Sequence, residues 1–336
     1  MVSDRSAQAR ACANVALVKY WGKRDPHLNL PATGSISLTL RELQATAVVT
    51  RRSGPPREAR FLQNGELVSG PPGARMATYL DLLAALFGCA GPLDADVYAS
   101  FPVAAGLASS AAIHAAVAAA AAAVAGARLN REQLSAIARR GSGSAARSVF
   151  GGFVEWRRGE RDDGEDSIAL PLLGESEWDV AMAVAIVDEG RKAVSSRDAM
   201  EHVARTSPLY AGWLAAQPPD LAAARAAIAA RDLEQLGTIA EANCLRMHAT
   251  ALAARPGVLY WTPTTVALMH EVRTLRRAGT PAYFTIDAGP QVKVLCERHR
   301  LRDVAAALSN VPGVVRVLGA HPGPGVAIVS GEAPWS

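Results

Sequence analysis

One segment constrains the fold of this chain more than any other: an apolar run, a small-residue loop and a long alanine run follow one another over residues 96–127. The loop reads PVAAGLASSAA, and the alanine run reads AAIHAAVAAAAAAVAGA. Alanine has the highest helix propensity, and small side chains let the backbone approach a neighbouring group closely. The segment therefore predicts a strand, a tight loop and a buried helix.

The alanine run does not predict a membrane span. It contains His114 and relies on weakly hydrophobic alanine, whereas a spanning helix needs about 20 predominantly apolar residues. The chain has 336 residues, of which 50% are hydrophobic and 20% are charged. This composition is that of a globular protein, and at about 150 residues per domain the length predicts two domains.

Charge and cysteine content exclude several function classes. The formal charge of +4 is too small for a polybasic nucleic-acid binder. Cys12, Cys89, Cys244 and Cys296 form no CxxC pair, so we expect reduced thiols rather than a zinc site or a disulfide framework. The first ten residues contain Asp4 and no apolar run, so we do not expect them to act as a secretion signal.

The first half of the chain reads as strands with a few helices. Apolar or alternating runs predict strands at residues 13–21, 34–40 and 45–50. The pair Asn64-Gly65 predicts the tight turn of a hairpin. Helical periodicity follows from residue 72, before the segment described above.

The second half is richer in helices, which makes the predicted fold class α+β. A buried strand is expected at residues 180–187, and the helices over residues 195–249 are expected to break at Ser207-Pro208 and Pro218-Pro219. Four apolar runs near the C-terminus predict further strands. Because the composition changes after the strand at residues 180–187, we place the boundary between domains 1–188 and 189–336 there.

The loop before the alanine run is a candidate phosphate site. Ser109 and Ser110 stand where the helix starts, and a helix N-terminus offers unpaired N–H groups and a positive dipole to an anion. A serine N-cap on a closely packed helix is the alternative. The chain has no Walker A loop, and residues 141–146 match GxGxxA only after a helix, so a dinucleotide site is not expected.

Two further segments concentrate cations. VKYWGKRD places Lys19, Lys23 and Arg24 near the end of a strand, where they could bind an anionic substrate or form a solvated basic turn. GSGSAARSVFGG surrounds Arg147 with serines and glycines. Its planar guanidinium suits bidentate binding of a carboxylate, and an ordinary surface arginine is the alternative.

Two titratable residues stand out in the second half. Asp287 follows the apolar strand AYFTI, a common placement for a catalytic carboxylate, although a turn-capping aspartate is the alternative. His248 stands alone in a helical run and is expected to be a packing residue. No HxxxH or HExxH pair predicts a metal held by the protein.

These segments together resemble the diphosphomevalonate decarboxylase family of the GHMP kinase superfamily. The resemblance extends over residues 11–330, and the combination of VKYWGKRD, GSGSAARS and IDAGP is its most specific part. The motifs that carry it occur in the family's order: ANVALVKYWGKRDPHLNLPATGSISLTL, FPVAAGLASSAA, GSGSAARSVFGGFVEW, KAVSSRDAMEHVARTSPLY, MHATALAARPGVLYWTPTT and AYFTIDAGPQVKV.

The resemblance implies a GHMP kinase fold, with an N-terminal lobe like domain 2 of ribosomal protein S5 and a C-terminal ferredoxin-like lobe. It implies that ATP phosphorylates the 3-hydroxyl of 5-diphosphomevalonate, after which phosphate and CO2 leave and isopentenyl diphosphate forms. Mg2+ would be held largely by phosphates, as is usual for this ion. No pyridoxal or thiamine cofactor is needed, because the departing phosphate takes up the electrons of the C–C bond.

The resemblance also implies roles for individual residues. Asp287 would orient or deprotonate the 3-hydroxyl, Arg147 would bind the substrate carboxylate, and Lys19 would supply charge near the transferred phosphoryl group. The other substrate-binding candidates are Asn14, Tyr20, Trp21, Lys23, Ser142 and Ser144. The candidates for ATP binding are Gly106, Leu107, Ala108, Ser109, Ser110, Ser195 and Ser196.

Partners follow from the same resemblance: a small-molecule substrate and ATP, no nucleic acid, no membrane, a cytoplasmic location and a homodimer. Two alternatives stay open. One is a sister enzyme that decarboxylates a monophosphate or bisphosphate analogue, or a mevalonate 3-kinase, although the aspartate at 287 argues against a kinase alone. The other is a non-catalytic phosphate sensor, which would be expected to lose that aspartate.

Overall fold

The computed structural model describes residues 4–53, 58–100, 109–190 and 194–330. Within them, the larger sheet has the order β14-β1-β4-β7-β5-β6, with β8 paired to β4 and β9 paired to β8. Its strands are β1 (Arg5–Val18), β4 (Ser35–Arg51), β5 (Phe61–Gln63), β6 (Glu66–Leu67), β7 (Leu93–Ala99), β8 (Phe153–Trp156), β9 (Ala169–Leu173) and β14 (Ala327–Ser330).

A second sheet of four antiparallel strands has the order β11-β12-β10-β13. These strands are β10 (Val180–Ile186), β11 (Ala282–Ile286), β12 (Val292–Glu297) and β13 (Arg316–Ala320). A short ribbon pairs β2 (Lys23–Asp25) with β3 (Leu30–Pro31). The mixture of helices with two largely antiparallel sheets agrees with the predicted α+β class.

Helices pack on both sheets. They are α1 (Gly70–Leu86), α2 (Ser109–Ala125), α3 (Arg131–Gly141), α4 (Ala145–Ser148), α5 (Ser196–Thr206), α6 (Tyr210–Ala230), α7 (Leu233–Leu252), α8 (Pro263–Arg277) and α9 (Leu301–Ser309). Among the described residues, none of these helices combines the length and apolarity that a membrane crossing requires.

The alanine run forms α2, which is buried along most of its length between neighbouring elements. It contacts β1 and β4 of the larger sheet and the helices α3 and α4. Alanine side chains keep the helix axis close to the sheet, so the first turn of α2 is fixed with Ser109 buried and Ser110 exposed. The prediction of a buried helix is confirmed, and this burial positions Ser109 and Ser110.

Two local predictions were wrong. The strands expected at residues 34–40 and 45–50 form one long strand, β4, which stays paired with β1 across an irregularity in register. The helix α6 runs through Pro218-Pro219 without ending. Buried Trp213 before the prolines and buried Leu221 after them anchor both halves of α6, so packing outweighs the loss of two N–H donors.

The hairpin turn was predicted correctly. Asn64 and Gly65 have φ values of 54° and 80°, the left-handed region that a tight hairpin turn requires. The domain boundary after residue 188 stays a prediction. Three strand pairings bear on where the chain divides: β10 pairs with β12 and with β13 of the second sheet, and β14 pairs with β1 of the larger sheet.

Candidate active site

A cavity of about 440 Å³ lies between the larger sheet, the second sheet and helices α2, α5 and α7. Its size suits a small-molecule ligand. All the residues within the described ranges for which the resemblance implies a role line it, namely Asn14, Lys19, Tyr20, Trp21, Lys23, Ser109, Ser110, Ser142, Ser144, Arg147, Ser195, Ser196 and Asp287. Arg24, the third cation of VKYWGKRD, does not line the cavity and donates instead to the Arg161 carbonyl at 2.7 Å. The candidates Gly106, Leu107 and Ala108 lie outside the described residues.

Asp287 is held between two lysines. It follows β11 directly, and 23% of its side chain is exposed toward the cavity. Its Oδ1 accepts a hydrogen bond of 2.7 Å from Lys19 Nζ, and its Oδ2 lies 3.2 Å from Lys293 Nζ. The two lysine side chains are only 2% and 1% exposed, so they lie beneath the carboxylate while the carboxylate itself faces the cavity.

The two cations keep Asp287 ionised. Burial by itself raises the pKa of this carboxyl, but the charges of Lys19 and Lys293 outweigh burial and hold the pKa well below its ordinary value. A carboxylate of such low pKa is a weak base, but it stays charged at neutral pH and can accept a charge-assisted hydrogen bond. Between the two roles expected for Asp287, this favours orienting a hydroxyl over removing its proton early.

Lys19 is fixed at three points. Its ammonium donates to the Ala16 carbonyl at 2.8 Å as well as to Asp287, and its backbone N–H donates to Asn243 Oδ1 at 2.8 Å. Asn243 lies on α7 and in turn donates to Asp220 at 2.7 Å. Sequence reasoning missed Asn243, because its role depends on α7 packing against the end of β1.

Arg147 is buried on α4, with its guanidinium held by three neighbours. Its Nε donates to Asn14 Oδ1 at 3.1 Å and to Ser37 Oγ at 2.9 Å, and its Nη1 donates to Ser35 Oγ at 2.5 Å. Burial lowers the pKa of Arg147 to about 10, which leaves it charged at neutral pH. The alternative of an ordinary surface arginine is thus excluded, and a fixed, desolvated cation lines the cavity.

Serines from two helix ends meet on one side of the cavity. Ser142 Oγ donates to Ser110 Oγ at 3.4 Å and lies 3.4 Å from Ser144 Oγ. Ser109 and Ser110 form the first turn of α2, whose N-terminal N–H groups and dipole favour an anion. His114, one turn further, contacts the Ser110 carbonyl at 2.8 Å through Nδ1 and also lines the cavity.

The aromatic pair between the lysines shapes the neighbouring wall. Tyr20 packs edge-on against Trp156, with ring centroids 4.8 Å apart, and Trp213 donates to the Trp21 carbonyl at 2.8 Å. The Tyr20 hydroxyl and Trp21 Nε1 are buried and make no hydrogen bond within the described part of the chain. Two buried donors at a cavity wall suit a polar ligand.

Lys23 and the start of α5 supply the charged rim. Burial, followed by the nearby charge of Arg197, lowers the pKa of Lys23 to about 8. Ser195 caps α5 and accepts a hydrogen bond of 3.2 Å from the backbone N–H of Asp198. Arg197 lines the cavity and was missed in the sequence, where it reads as an ordinary helix residue.

An apolar wall completes the cavity on the side of α1 and α2. It is lined by Phe61, Val68, Pro72, Met76 and Ile113. Apolar side chains next to a helix N-terminus suit a flat base joined to a phosphate chain. The sequence could not identify this wall, because its residues come from a short hairpin and two helices.

His248 is a packing residue, as expected. It lies on α7 with Nε2 3.3 Å from the Ile286 carbonyl, and burial lowers its pKa to about 3. Cys244 on the same helix contacts both polar backbone groups of Ile286, at 3.4 Å and 3.1 Å. All four cysteines are free thiols. These contacts fix the backbone of Ile286, the residue before Asp287.

The donor set fits a metal carried by phosphates. Within the described residues, no group of three or more His, Cys, Asp or Glu side chains is arranged to hold a metal ion. Instead the cavity offers serine hydroxyls, helix N–H groups and cations, which bind phosphate oxygens. Mg2+ commonly keeps several waters and is bound through substrate phosphates.

Family models match nearly the whole chain. Residues 11–169 match the diphosphomevalonate decarboxylase-like N-terminal domain, and residues 182–316 match the mevalonate 5-diphosphate decarboxylase C-terminal domain. A diphosphomevalonate decarboxylase of Ganoderma lucidum is 34% identical over 90% of this chain and 81% of its own length. The enzyme of the same name from Homo sapiens is 31% identical over 92% and 82%.

Solved structures agree with these matches. Mevalonate diphosphate decarboxylase from Staphylococcus aureus is 38% identical and superimposes with a TM-score of 0.92 over 97% of this chain and 98% of that chain. The complex of MDDEF with MVAPP, AMPPCP and magnesium is 39% identical, with a TM-score of 0.91 over 98% and 100%. The chain therefore belongs to the diphosphomevalonate decarboxylase family.

Proposed function

We propose that this protein decarboxylates 5-diphosphomevalonate in an ATP-dependent reaction that yields isopentenyl diphosphate, ADP, phosphate and CO2, a step of the mevalonate pathway. One observation carries the proposal. A cavity-facing carboxylate on two buried lysines, Asp287, shares a single cavity with the buried guanidinium of Arg147 and with the serine-lined N-terminus of α2. These three features are complementary, in that order, to the tertiary hydroxyl of the substrate, to its carboxylate and to the phosphate chain of ATP.

ATP supplies the phosphoryl group, and Mg2+ neutralises the charge of its phosphates. The first turn of α2, with Ser109 and Ser110, would bind these phosphates through N–H groups and hydroxyls. The apolar wall formed by residues such as Val68 and Met76 would bind the adenine base. Ser195 and Ser196 would border the nucleotide.

Asp287 would accept a hydrogen bond from the 3-hydroxyl and hold its oxygen toward the phosphoryl group. In a loose phosphoryl-transfer transition state the attacking oxygen needs orientation more than early deprotonation. The low pKa of Asp287 suits this role. Lys19 would hold the carboxylate in place and add positive charge where negative charge moves during transfer.

Arg147 would pair with the substrate carboxylate and fix its orientation, with Asn14 beside it. Its contacts with Asn14, Ser35 and Ser37 are made by Nε and Nη1, so the guanidinium is held from one side. As the 3-phosphate leaves, the C–C bond electrons form the new double bond and CO2 departs. Because Arg147 is a buried cation with a fixed position, the substrate carboxylate can be desolvated beside it before this step.

The diphosphate end would bind where cations and buried donors meet. Tyr20, Trp21, Lys23, Ser142 and Ser144 line that part of the cavity. The hydroxyl of Tyr20 and Nε1 of Trp21 are donors without a protein partner in the described ranges, and the diphosphate would satisfy them. Lys23 adds charge that is present below about pH 8.

The direct test is an assay of the purified protein with ATP, Mg2+ and 5-diphosphomevalonate. We expect ADP and CO2 to be released in equal amounts. A parallel assay with 5-phosphomevalonate determines whether the second phosphate is required. Release of ADP without CO2 would contradict the proposal and support a 3-kinase, and release of neither would contradict it altogether.

A homodimer and a cytoplasmic location are further proposals that rest on the family alone. Light scattering coupled to size-exclusion chromatography tests the first, with an expected mass of twice 35.1 kDa. A monomer mass would contradict it. Fractionation of the source cells tests the second, and recovery of the protein in the membrane fraction would contradict it.

A further inference from the structure

Lys293 is the unexplained member of the cluster around Asp287. It lies within β12, opposite Thr285 of β11 and Val184 of β10, and its side chain is 1% exposed. The ammonium of Lys293 lies 3.2 Å from Asp287 Oδ2, whereas Lys19 binds Oδ1. Each oxygen of the carboxylate is therefore held by a lysine. Lys19 follows a strand of the larger sheet, and Lys293 lies within a strand of the second sheet.

The position of Lys293 would suit an apolar side chain. Neighbouring side chains along a strand alternate between faces, so Lys293 shares its face with Leu295. Leu295 is 1% exposed and belongs to the main hydrophobic core. A lysine here loses its water and adds a second cation near Lys19, and such burial is costly unless the charge is paired. Here the Asp287 carboxylate supplies that pairing.

We propose that Lys293 is a positioning residue for the reaction: by holding Oδ2, it fixes the orientation and the ionised state of the Asp287 carboxylate that faces the substrate hydroxyl. The kinetic part of this inference rests on the proposed function. Lys293 acts through Asp287 and need not touch the substrate. Without it the carboxylate keeps Lys19 on one oxygen and gains freedom to rotate.

The groups that face Asp287 come from four elements besides its own loop. They are Lys19 after β1, Lys293 on β12, Arg147 on α4, and Cys244 and His248 on α7. Burial raises the pKa of the Cys244 thiol and lowers the pKa of His248 to about 3. The thiol stays protonated throughout the acid range, and the labelled carboxyl signal belongs to Asp287 itself, so its midpoint is assigned to Asp287 even where His248 also titrates.

The test substitutes Lys293→Met, which keeps the length of the side chain and removes its charge. In protein labelled with 13C at the aspartate carboxyl, we expect the Asp287 signal, assigned by its loss in Asp287→Asn, to titrate about one to three pH units higher than in wild type. We expect kcat to fall about 10- to 100-fold, with KM for both substrates changed less than about two-fold, because only orientation is lost. The pH at which kcat/KM falls on the acid side should rise by the same amount as the Asp287 titration midpoint.

Leu295→Ala is the matched control, since it removes packing from the same face of the same strand. It should lower the melting temperature and leave the Asp287 titration in place. Lys293→Met should melt no lower than wild type, because it removes a buried cation from a positively charged cluster. Lys293→Gln, which keeps a donor without charge, should repeat the titration shift even if Lys293→Met does not fold.

An unchanged Asp287 titration in Lys293→Gln, or an equal fall in kcat in Leu295→Ala, would overturn the proposal. The carboxyl titration needs no turnover. If wild-type protein released no CO2, the proposed function would fail, while the titration would still decide whether Lys293 controls Asp287.

Discussion

Lys19 Nζ and Asp287 Oδ1 are joined by a hydrogen bond of 2.7 Å, although the two residues follow strands of different sheets. Lys19 comes directly after β1, and Asp287 comes directly after β11. The contact exists only when the two sheets are docked with α7 between them, where Asn243 and Cys244 hold the adjoining backbone. The reactive pair is thus a product of the tertiary structure.

Asp287→Asn should lower kcat by about 10²- to 10⁴-fold, because the 3-hydroxyl loses its charged acceptor. ATP binding, measured by calorimetry, should stay within about two-fold of wild type. The melting temperature should fall, because Lys19 and Lys293 lose their counter-charge. Glu241→Gln is the control: this buried carboxylate pairs with Arg276 at 2.8 Å outside the cavity, so it should lose stability and keep kcat. Unchanged turnover in Asp287→Asn would refute its role.

Arg147→Gln should lower kcat and leave ATP affinity unchanged, because the contact proposed for Arg147 is with the substrate carboxylate and not with the nucleotide. Truncating one partner of a buried charge contact costs about 2–5 kcal/mol, so the expected loss is at least about ten-fold. Arg139→Gln is the control, since Arg139 is equally buried but donates to the Gly164 carbonyl, and it should affect stability alone. A change confined to ATP affinity would move Arg147 to the nucleotide site.

Lys23 should set the alkaline limb of the pH profile. Its pKa is lowered to about 8, so the ammonium proposed to bind the diphosphate is present below that pH and is lost as the pH rises through it. We expect kcat/KM to fall between about pH 8 and pH 9, mainly through KM, since kcat/KM reports on the free enzyme. Lys23→Arg should abolish this limb, because arginine stays charged. An unshifted limb in Lys23→Arg would exclude Lys23 as its source.

Gly143→Ala should impair substrate binding by displacing Tyr20. A Cβ at this position would lie 2.8 Å from Tyr20 Oη and 2.9 Å from Trp156 Cη2. We expect KM for the diphosphate substrate to rise about 10-fold or more, while KM for ATP changes little. Gly212→Ala is the control, because its Cβ meets no atom within 4 Å and lies in a helix. It should stabilise α6 slightly and leave kinetics unchanged. Equal effects of both substitutions would exclude a specific role for Tyr20.

Local patterns in the sequence predicted most elements correctly. The turn at Asn64-Gly65, the buried helix α2 and the buried strand β10 follow from turn chemistry, helix propensity and apolar runs, which act over a few residues. The continuous strand β4 and the unbroken helix α6 were not predicted, because pairing with β1 and packing around Trp213 outweigh the local preference of these segments. Propensity is a weak influence when tertiary contacts oppose it.

The sequence by itself determined the family, the element order and the candidate residues, since these are carried by motifs that keep their residue types and spacing. Only the tertiary structure decided what each charge does. Lys293 reads as one more residue of an apolar strand, and Arg147 reads equally well as a surface arginine. Burial removes their water and the docked sheets fix their partners. A pKa and a binding role depend on those distances and on desolvation, which no local pattern of residues records.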